Sequence, residues 1–282
     1  MKVYGKVYSV NRKERLISMI INNRLMSFHM TNKNMREFKS YLDKLPYVFL
    51  DVFDEKIKNN GKIYYEINYF IKIVVPRLIR SDVYYDLSMI RKGVKSLLNK
   101  EQTKMFLDLE FTLPYSSHQL PEIVQYGLVI EDLNSNVIFE DTCLVRPTKK
   151  SSLNKRTLKF LSLEYKDFNN ACSYIEFYQM LERLINEYDV KIIAWGKNDI
   201  LTLEKSFKIN HLKPLDIRNR YMNLMQIMKN YYNNKQEMGL FSTYKELTYN
   251  DVIEQNHNAF EDALIMREIF HIFRNNINNE DY

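Results

Sequence analysis

A mixed α/β domain preceded by a small β-barrel is the fold class that the sequence predicts, and three observations carry that expectation. Residues 1–76 read as short alternating strands interrupted by one helix, with turn-forming residues between them. Residues 105–282 open with three strand-like runs and then alternate helical and strand patterns, the order of a mixed sheet covered by helices. Charge divides along the same line: residues 1–104 carry 21 Lys and Arg against 10 Asp and Glu, whereas residues 105–282 carry 20 against 25. A basic half joined to an acidic half suits capture of a polyanion by one part and clustered carboxylates, offset by metal ions, in the other.

In the basic half, KVYGKVYSV, RLISMIIN and RLMSFHM precede a helical TNKNMREFKSYL, and YVFLDVF and KIYYEINYFIKIVV follow it. Five strands with a helix between the third and fourth is the order of an OB-like barrel. Asn22-Asn23 and Asn59-Asn60-Gly61 supply tight turns, and Pro76 ends the last strand. Period-2 alternation sets Lys2, Tyr4, Lys6 and Tyr8 on one face of the first strand, opposite Val3 and Val7. Ammonium groups interleaved with rings fit a single-stranded nucleic-acid platform, where rings stack on bases and cations meet phosphates. The competing reading is that these tyrosines only cover a small barrel. Residues 77–104 place Leu87, Ile90, Val94, Leu97 and Leu98 at helical spacing among many basic residues and read as a helical basic connector. The expected organisation is a nucleic-acid-binding barrel at 1–76, the connector at 77–104 and a second domain at 105–282.

That second domain begins with MFLDLEFTL, IVQYGLVIED and VIFEDTCLVRP as strands. A helix SYIEFYQMLERLINEY, a strand VKIIAWG, a helix DILTLEKSFK, a short strand LDIR and further helices follow. This is the order of the ribonuclease H-like architecture. Asp108 and Glu110, at i and i+2, share one face of the first strand with Phe106, while Leu107, Leu109 and Phe111 point into the core. Two ionised carboxylates side by side and partly buried are strongly unfavourable unless a cation sits between them. Hard divalent ions such as Mg²⁺ or Mn²⁺ take such oxygen ligands. Further along, WGKNDILTL puts Asp199 in the first turn of a helix, and HNAFEDALIMREIF puts His257 ahead of the last long helix with Asp262 inside it. Ala259 and Ala263 are small enough for that helix to lie close against the sheet. Taken singly, Asp199 reads as an acid favoured by the helix dipole and His257 as a surface histidine. Their occurrence together, in this order, is poorly explained by separate structural roles.

The motifs Asp108-Leu109-Glu110, Asp199 and His257-Asn258-Ala259-Phe260-Glu261-Asp262-Ala263 resemble those of the DEDDh class of 3′–5′ exonucleases over residues 105 to about 273. LDLEFT, PEIVQYG and AWGKNDILTLE give a narrower likeness to the KapD-like and ERI-type branch, whose members mostly trim RNA 3′ ends. The first 30 residues, through GKVYSVN, are similar to the cold-shock and OB family. The resemblance implies that Asp108, Glu110, Asp199 and Asp262 hold two divalent ions, Mg²⁺ or Mn²⁺, about 4 Å apart. His257 would be the general base, and Phe111, Thr112 and Leu113 would contact the terminal nucleotide. It implies a metal-dependent 3′–5′ exonuclease releasing nucleoside monophosphates from single-stranded nucleic acid, with RNA favoured over DNA. A DNA exonuclease of repair or proofreading and a non-catalytic nucleic-acid-binding protein are the alternatives.

Six glycines, none in a GxxxxGK[ST] or GxGxxG arrangement, speak against a phosphate-cradling loop and against ATP or NAD dependence. Two cysteines at no metal-ligand spacing, an N-terminus without a signal-peptide core and the lack of any run of about 18 apolar residues point to a cytoplasmic protein without a membrane partner.

Overall fold

The first unit spans Met1–Val94 and the second Lys95–Tyr282. The computed structural model describes residues 1–59, 62–77, 81–115, 120–234, 236–249 and 257–279. In the first unit, alternation turns Val7, Ile17, Met19, Phe28, Val48 and Leu50 inward. Strand β1 (Lys2–Asn11) pairs antiparallel with β2 (Leu16–Ile21) and with β4 (Tyr47–Asn59). Strand β3 (Arg24–His29) pairs with β2, and β4 pairs with β5 (Lys62–Val75). A parallel pairing of β3 with β5, at Phe28↔Tyr65 and His29↔Glu66, closes the five strands into a barrel. Closure removes the open sheet edges that a small unit would otherwise expose. Helix α1 (Asn32–Leu42), capped by the Thr31 hydroxyl, lies between β3 and β4 in the chain. It buries Met35, Phe38 and Leu42, with Phe38 4.3 Å from Phe70 between ring centroids. Asn60 and Gly61, expected to complete the turn before β5, lie outside the described residues.

The segment expected to be a helical connector is only partly helical. Asp82–Asp86 forms strand β6, paired antiparallel with β5, and helix α2 (Leu87–Leu98) begins directly after it. Val83, Tyr84 and Tyr85 are β-branched or aromatic, and the end of β5 offers backbone groups for them to pair with. The division between units falls within α2, at Val94 and Lys95.

The second unit is built on a six-stranded sheet in the order β10-β9-β8-β7-β11-β12. Strands β7 (Lys104–Phe111), β8 (Ile123–Glu131) and β9 (Val137–Arg146) form an antiparallel meander. The short β10 (Cys172–Ser173) joins β9 in parallel, and β11 (Lys191–Ala194) and β12 (Tyr221–Asn223) extend the other edge in parallel. LDIR, expected as a strand, is not one. Leu215 and Ile217 still pack against the core, and the pairing with β11 passes to Tyr221–Asn223. Helices α4 (Tyr174–Tyr188) and α5 (Asn198–Ile209) cover one face, packing Phe177, Leu181 and Leu203 against Met105, Leu107 and Leu109. Between β9 and β10 the chain folds into helix α3 (Lys155–Leu161) and two 3₁₀ turns, over a smaller core of Leu153, Leu158, Leu161 and Phe168. Helices α6 (Leu224–Tyr232) and α7 (Leu240–Thr248) lead on towards the last helix.

That helix, α8 (Ala259–Asn279), lies on the opposite face, where Phe270 meets Phe106 edge-on at 5.5 Å. Its first turn rests on Gly127 of β8: a Cβ there would stand 2.2 Å from the backbone of Ala259 and Phe260. Only a residue without a side chain allows the helix backbone to come this close to the strand. Among the described residues, no helix is long and apolar enough to cross a membrane.

Gly127→Ala forces α8 off the sheet, an overpacking cost of about 1–3 kcal/mol. The expected outcome is a lower midpoint of thermal unfolding by circular dichroism; an unchanged midpoint would contradict the close-approach account.

Candidate active site

Register explains why the first turn of α8 meets the acidic strand. Asp108 stands opposite Gly127 in the β7–β8 ladder, and Glu110 stands opposite Gln125. Paired residues project to the same face, so both carboxylates point to the side on which α8 lies. Gln125 Oε1 accepts from the Ala259 N–H at 3.4 Å, while the side chain of Asn258 caps the helix by accepting from the N–H groups of Phe260 and Glu261. Asp262 follows in the first turn. As a result, carboxylate oxygens of Asp108, Glu110 and Asp262 lie within 4.8 Å of one another. Asp199 enters from the end of β11 in the first turn of α5, and its Oδ1 accepts from the Leu109 N–H at 3.3 Å, between the two acids of β7.

Electrostatics records the cost of this gathering. Burial, then the charges of Asp199, Asp262 and Glu110, hold the Asp108 carboxyl well above its ordinary range. Glu110 is pushed up to about 8 by burial and then by Asp262 and Asp199. Burial raises Asp199 to about 7 despite the N–H groups of Asp199 and Leu109, and raises Asp262 to about 6 with help from Glu261. Oδ1 of Asp262 is buried without a hydrogen-bond partner. An orphaned carboxylate oxygen among oxygen donors whose charges repel is what a hard divalent cation satisfies. The residues therefore fit the metal ions that their pattern implies.

His257 is joined to this region through α3 and α8. Its ring stacks on that of Phe160, with centroids 4.1 Å apart, and its backbone is left-handed at φ 46°, one residue ahead of the Asn258 cap. The residues after Glu110 are largely spoken for. Phe111 packs partly against the main core, and Thr112 is buried with its Oγ1 accepting from the Glu122 N–H at 2.9 Å. Leu113 donates its N–H to Thr157 Oγ1 and accepts from Asn154 Nδ2, both at 2.9 Å. Trp195 donates its indole N–H to the Met238 carbonyl at 2.9 Å. In the first unit, Lys2, Tyr4, Lys6 and Tyr8 are all exposed on β1, and Tyr4 stacks on Phe49 of β4 at 5.5 Å. Across the β1–β4 ladder Lys6 sits in register with Tyr47, Tyr4 with Phe49 and Lys2 with Asp51.

Sequence reasoning missed Gly127 and Gln125, which seat α8. The available signal was a glycine in the middle of a strand, which marks a close backbone approach. It also missed α3, whose seven residues carry too short an apolar pattern to register.

Comparison with known proteins agrees with this geometry. No family model matches the chain. The chain is 29% identical over 171 residues to the probable 3′–5′ exonuclease KapD of Bacillus subtilis (strain 168), spanning 59% of this chain and 82% of the relative. The nuclease domain of 3′hExo, a DEDDh family member solved bound to rAMP, superposes with a TM-score of 0.56 at 14% identity, covering 64% of this chain and 98% of that one. The second unit is similar in sequence to a 3′–5′ exonuclease and shares the fold of a DEDDh-class nuclease domain. Cell-death related nuclease 4 shares the fold at a TM-score of 0.52 and 18% identity, over 63% of this chain and 64% of its own. A carboxylate cluster of this kind can take divalent metal ions.

Because the folded-state carboxyl groups titrate above the ordinary value of about 4, Glu110 at about 8, the metal-free second unit binds more protons than its unfolded chain through the window from about pH 4 to about pH 8. The stability this confers is complete at low pH and is lost as pH rises through that window. In EDTA the thermal midpoint is expected to fall from about pH 5 to about pH 8. Mn²⁺ should raise it more at the upper end than at the lower; equal shifts at both ends would contradict the cluster's role.

Proposed function

We propose that this protein removes nucleoside monophosphates from the 3′ end of single-stranded nucleic acid, with RNA preferred to DNA. The observation that carries the reading is the convergence of Asp108, Glu110 and Asp262, with Asp199 held between the β7 acids by the Leu109 N–H. These four side chains would hold the metal ions. When bound, such ions lower the pKa of water and neutralise charge on the phosphodiester and the leaving 3′ oxygen. His257 takes the proton of the attacking water on an imidazole nitrogen, the general-base role that histidine most often fills. Phe160 holds the imidazole ring by stacking, and the Asn258 cap fixes the backbone that follows it. Phe111 and Leu113, both partly exposed, contact the terminal nucleotide, while the buried Thr112 acts by anchoring Glu122.

Preference for RNA is supported by the AWGKNDILTLE wording at the second motif and by the relatives' own ligands: 3′hExo was solved bound to rAMP, and a related 3′-exonuclease with a histone mRNA stem-loop. Lys2, Tyr4, Lys6 and Tyr8 of the barrel bind the strand by stacking and charge.

Incubating 5′-labelled RNA and DNA of one sequence with Mn²⁺ or Mg²⁺ tests this reading. The expected result is a ladder shortening from the 3′ end, faster on RNA, and absent for Asp108→Ala. Ladders on DNA alone would move the substrate to DNA, and intact strands under every condition would overturn the activity. His257→Ala is expected to lower kcat by about 10²–10⁴ while keeping the metal-induced rise in thermal midpoint. Loss of that rise would instead make His257 part of the metal site.

A further inference from the structure

The most basic stretch of the second unit is not where its overall charge would suggest. Residues 146–160, RPTKKSSLNKRTLKF, hold six Lys and Arg and no acid, leaving 14 cations against 25 acids over the rest of residues 105–282. Lys149, Lys150, Lys155, Arg156 and Lys159 are exposed, and none forms an ion pair among the described residues. Cations of a protein surface usually sit among acids of opposite sign, and an unpaired run of one sign is the footprint of a polyanion.

This stretch is fastened to the active site from the inside. Asn154 and Thr157 bind the carbonyl and N–H of Leu113, three residues beyond Glu110. The buried Glu122 accepts from the Thr148 N–H and the Ser152 hydroxyl, and its own N–H is held by Thr112. At the far end Phe160 stacks on His257. Register gives the direction as well: Glu110, Gln125 and Leu144 lie in one row across β7, β8 and β9. Two strand spacings separate Glu110 from Leu144, about 10 Å. Arg146, two residues past Leu144, emerges on the same face. Beside it is a groove of about 500 Å³ lined by Arg146, Thr148, Lys150, Tyr165 and Asn169. Tyr165 donates its hydroxyl to the Leu153 carbonyl at 2.6 Å and keeps 59% of its surface exposed, so its ring stands fixed and open for a base to stack on.

We infer that residues 146–160 are a guide for single-stranded nucleic acid. Lys149, Lys150, Lys155, Arg156 and Lys159 bind the phosphodiester backbone upstream of the 3′ end, and the groove beside Tyr165 receives one upstream nucleotide. The inference rests on the exonuclease reading and adds a substrate property to it: preference for strands long enough to reach the guide. Fixed polar contacts to Leu113 and Glu122 keep the cations in one register with the acids, so backbone capture and placement of the terminal phosphodiester are a single event.

The test compares full-length wild type with a variant in which the five cations become Gln, and with one in which they become Glu. Each is assayed in Mn²⁺ on a dinucleotide and on a strand of roughly 16 nucleotides. The ratio of kcat/KM for the long strand to that for the dinucleotide is expected to fall at least about tenfold in both variants, mainly through KM. Its dependence on salt should also become shallower, by about 0.7 for each phosphate that the variant no longer neutralises. A variant in which every Lys becomes Arg should restore the ratio. An unchanged ratio and salt slope would overturn the guide while leaving the exonuclease intact. If wild type cleaves neither substrate, the exonuclease reading fails, and anisotropy of the labelled long strand in EDTA then decides the guide alone: a loss of affinity of about tenfold in both variants supports it, and equal affinity overturns it.

Discussion

Four carboxylates gathered where water is scarce repel one another and resist ionisation, and most of the second unit can be understood as the means of holding them there. Among the described residues, no side chain of opposite charge is brought in to relieve Asp108, Glu110, Asp199 and Asp262. Instead each is fixed by its own backbone. Two come from consecutive same-face positions of β7, one from the start of α5, and one from the start of α8. The helices are held by Gly127 beneath α8, by the Asn258 cap and by the Leu109 N–H on Asp199. Rigid elements thus bear the electrostatic strain, and the same strain makes the site receptive to divalent metal ions.

The exits of the sheet strands are held by a second set of buried polar groups. Thr112 and Glu122 clasp one another, Glu122 gathers Thr148 and Ser152, and Leu113 is held by Asn154 and Thr157. These hydrogen bonds satisfy backbone groups that strand pairing leaves behind, and they fix the position of α3 relative to the DxE strand. A hydrogen-bonded interior built around Glu122 therefore connects an acidic centre to a basic rim. That separation of sign keeps the exposed cations of residues 146–160 out of the carboxylate cluster.

Much of this was legible because local rules determine it. The i, i+2 spacing of Asp108 and Glu110 dictates a shared face in any strand, and the small residues Ala259 and Ala263 signalled close approach of the last helix; both are fully buried. The order of strands and one helix similarly carried the barrel. What escaped reading was set by tertiary structure. β6 forms because β5 offers it a partner, and LDIR loses its strand because Tyr221–Asn223 pairs with β11 in its place. Helix α3 buries only Thr157, Leu158 and Leu161, and the most telling property of its surroundings, a run of exposed cations around a pinned interior, lies in charge rather than in periodicity. Gly127 shows the same limit: a glycine in a strand announces a close approach but not which residue approaches.

The central claim is that these four carboxylates form one metal-binding centre. Anomalous diffraction from crystals soaked in Mn²⁺ tests it most directly. The account predicts two manganese peaks within coordinating distance of Asp108, Glu110, Asp199 and Asp262, both lost in Asp262→Asn crystals treated the same way. Manganese found elsewhere, or an acid cluster that stays free of metal at saturating Mn²⁺ in alkaline buffer, would contradict it.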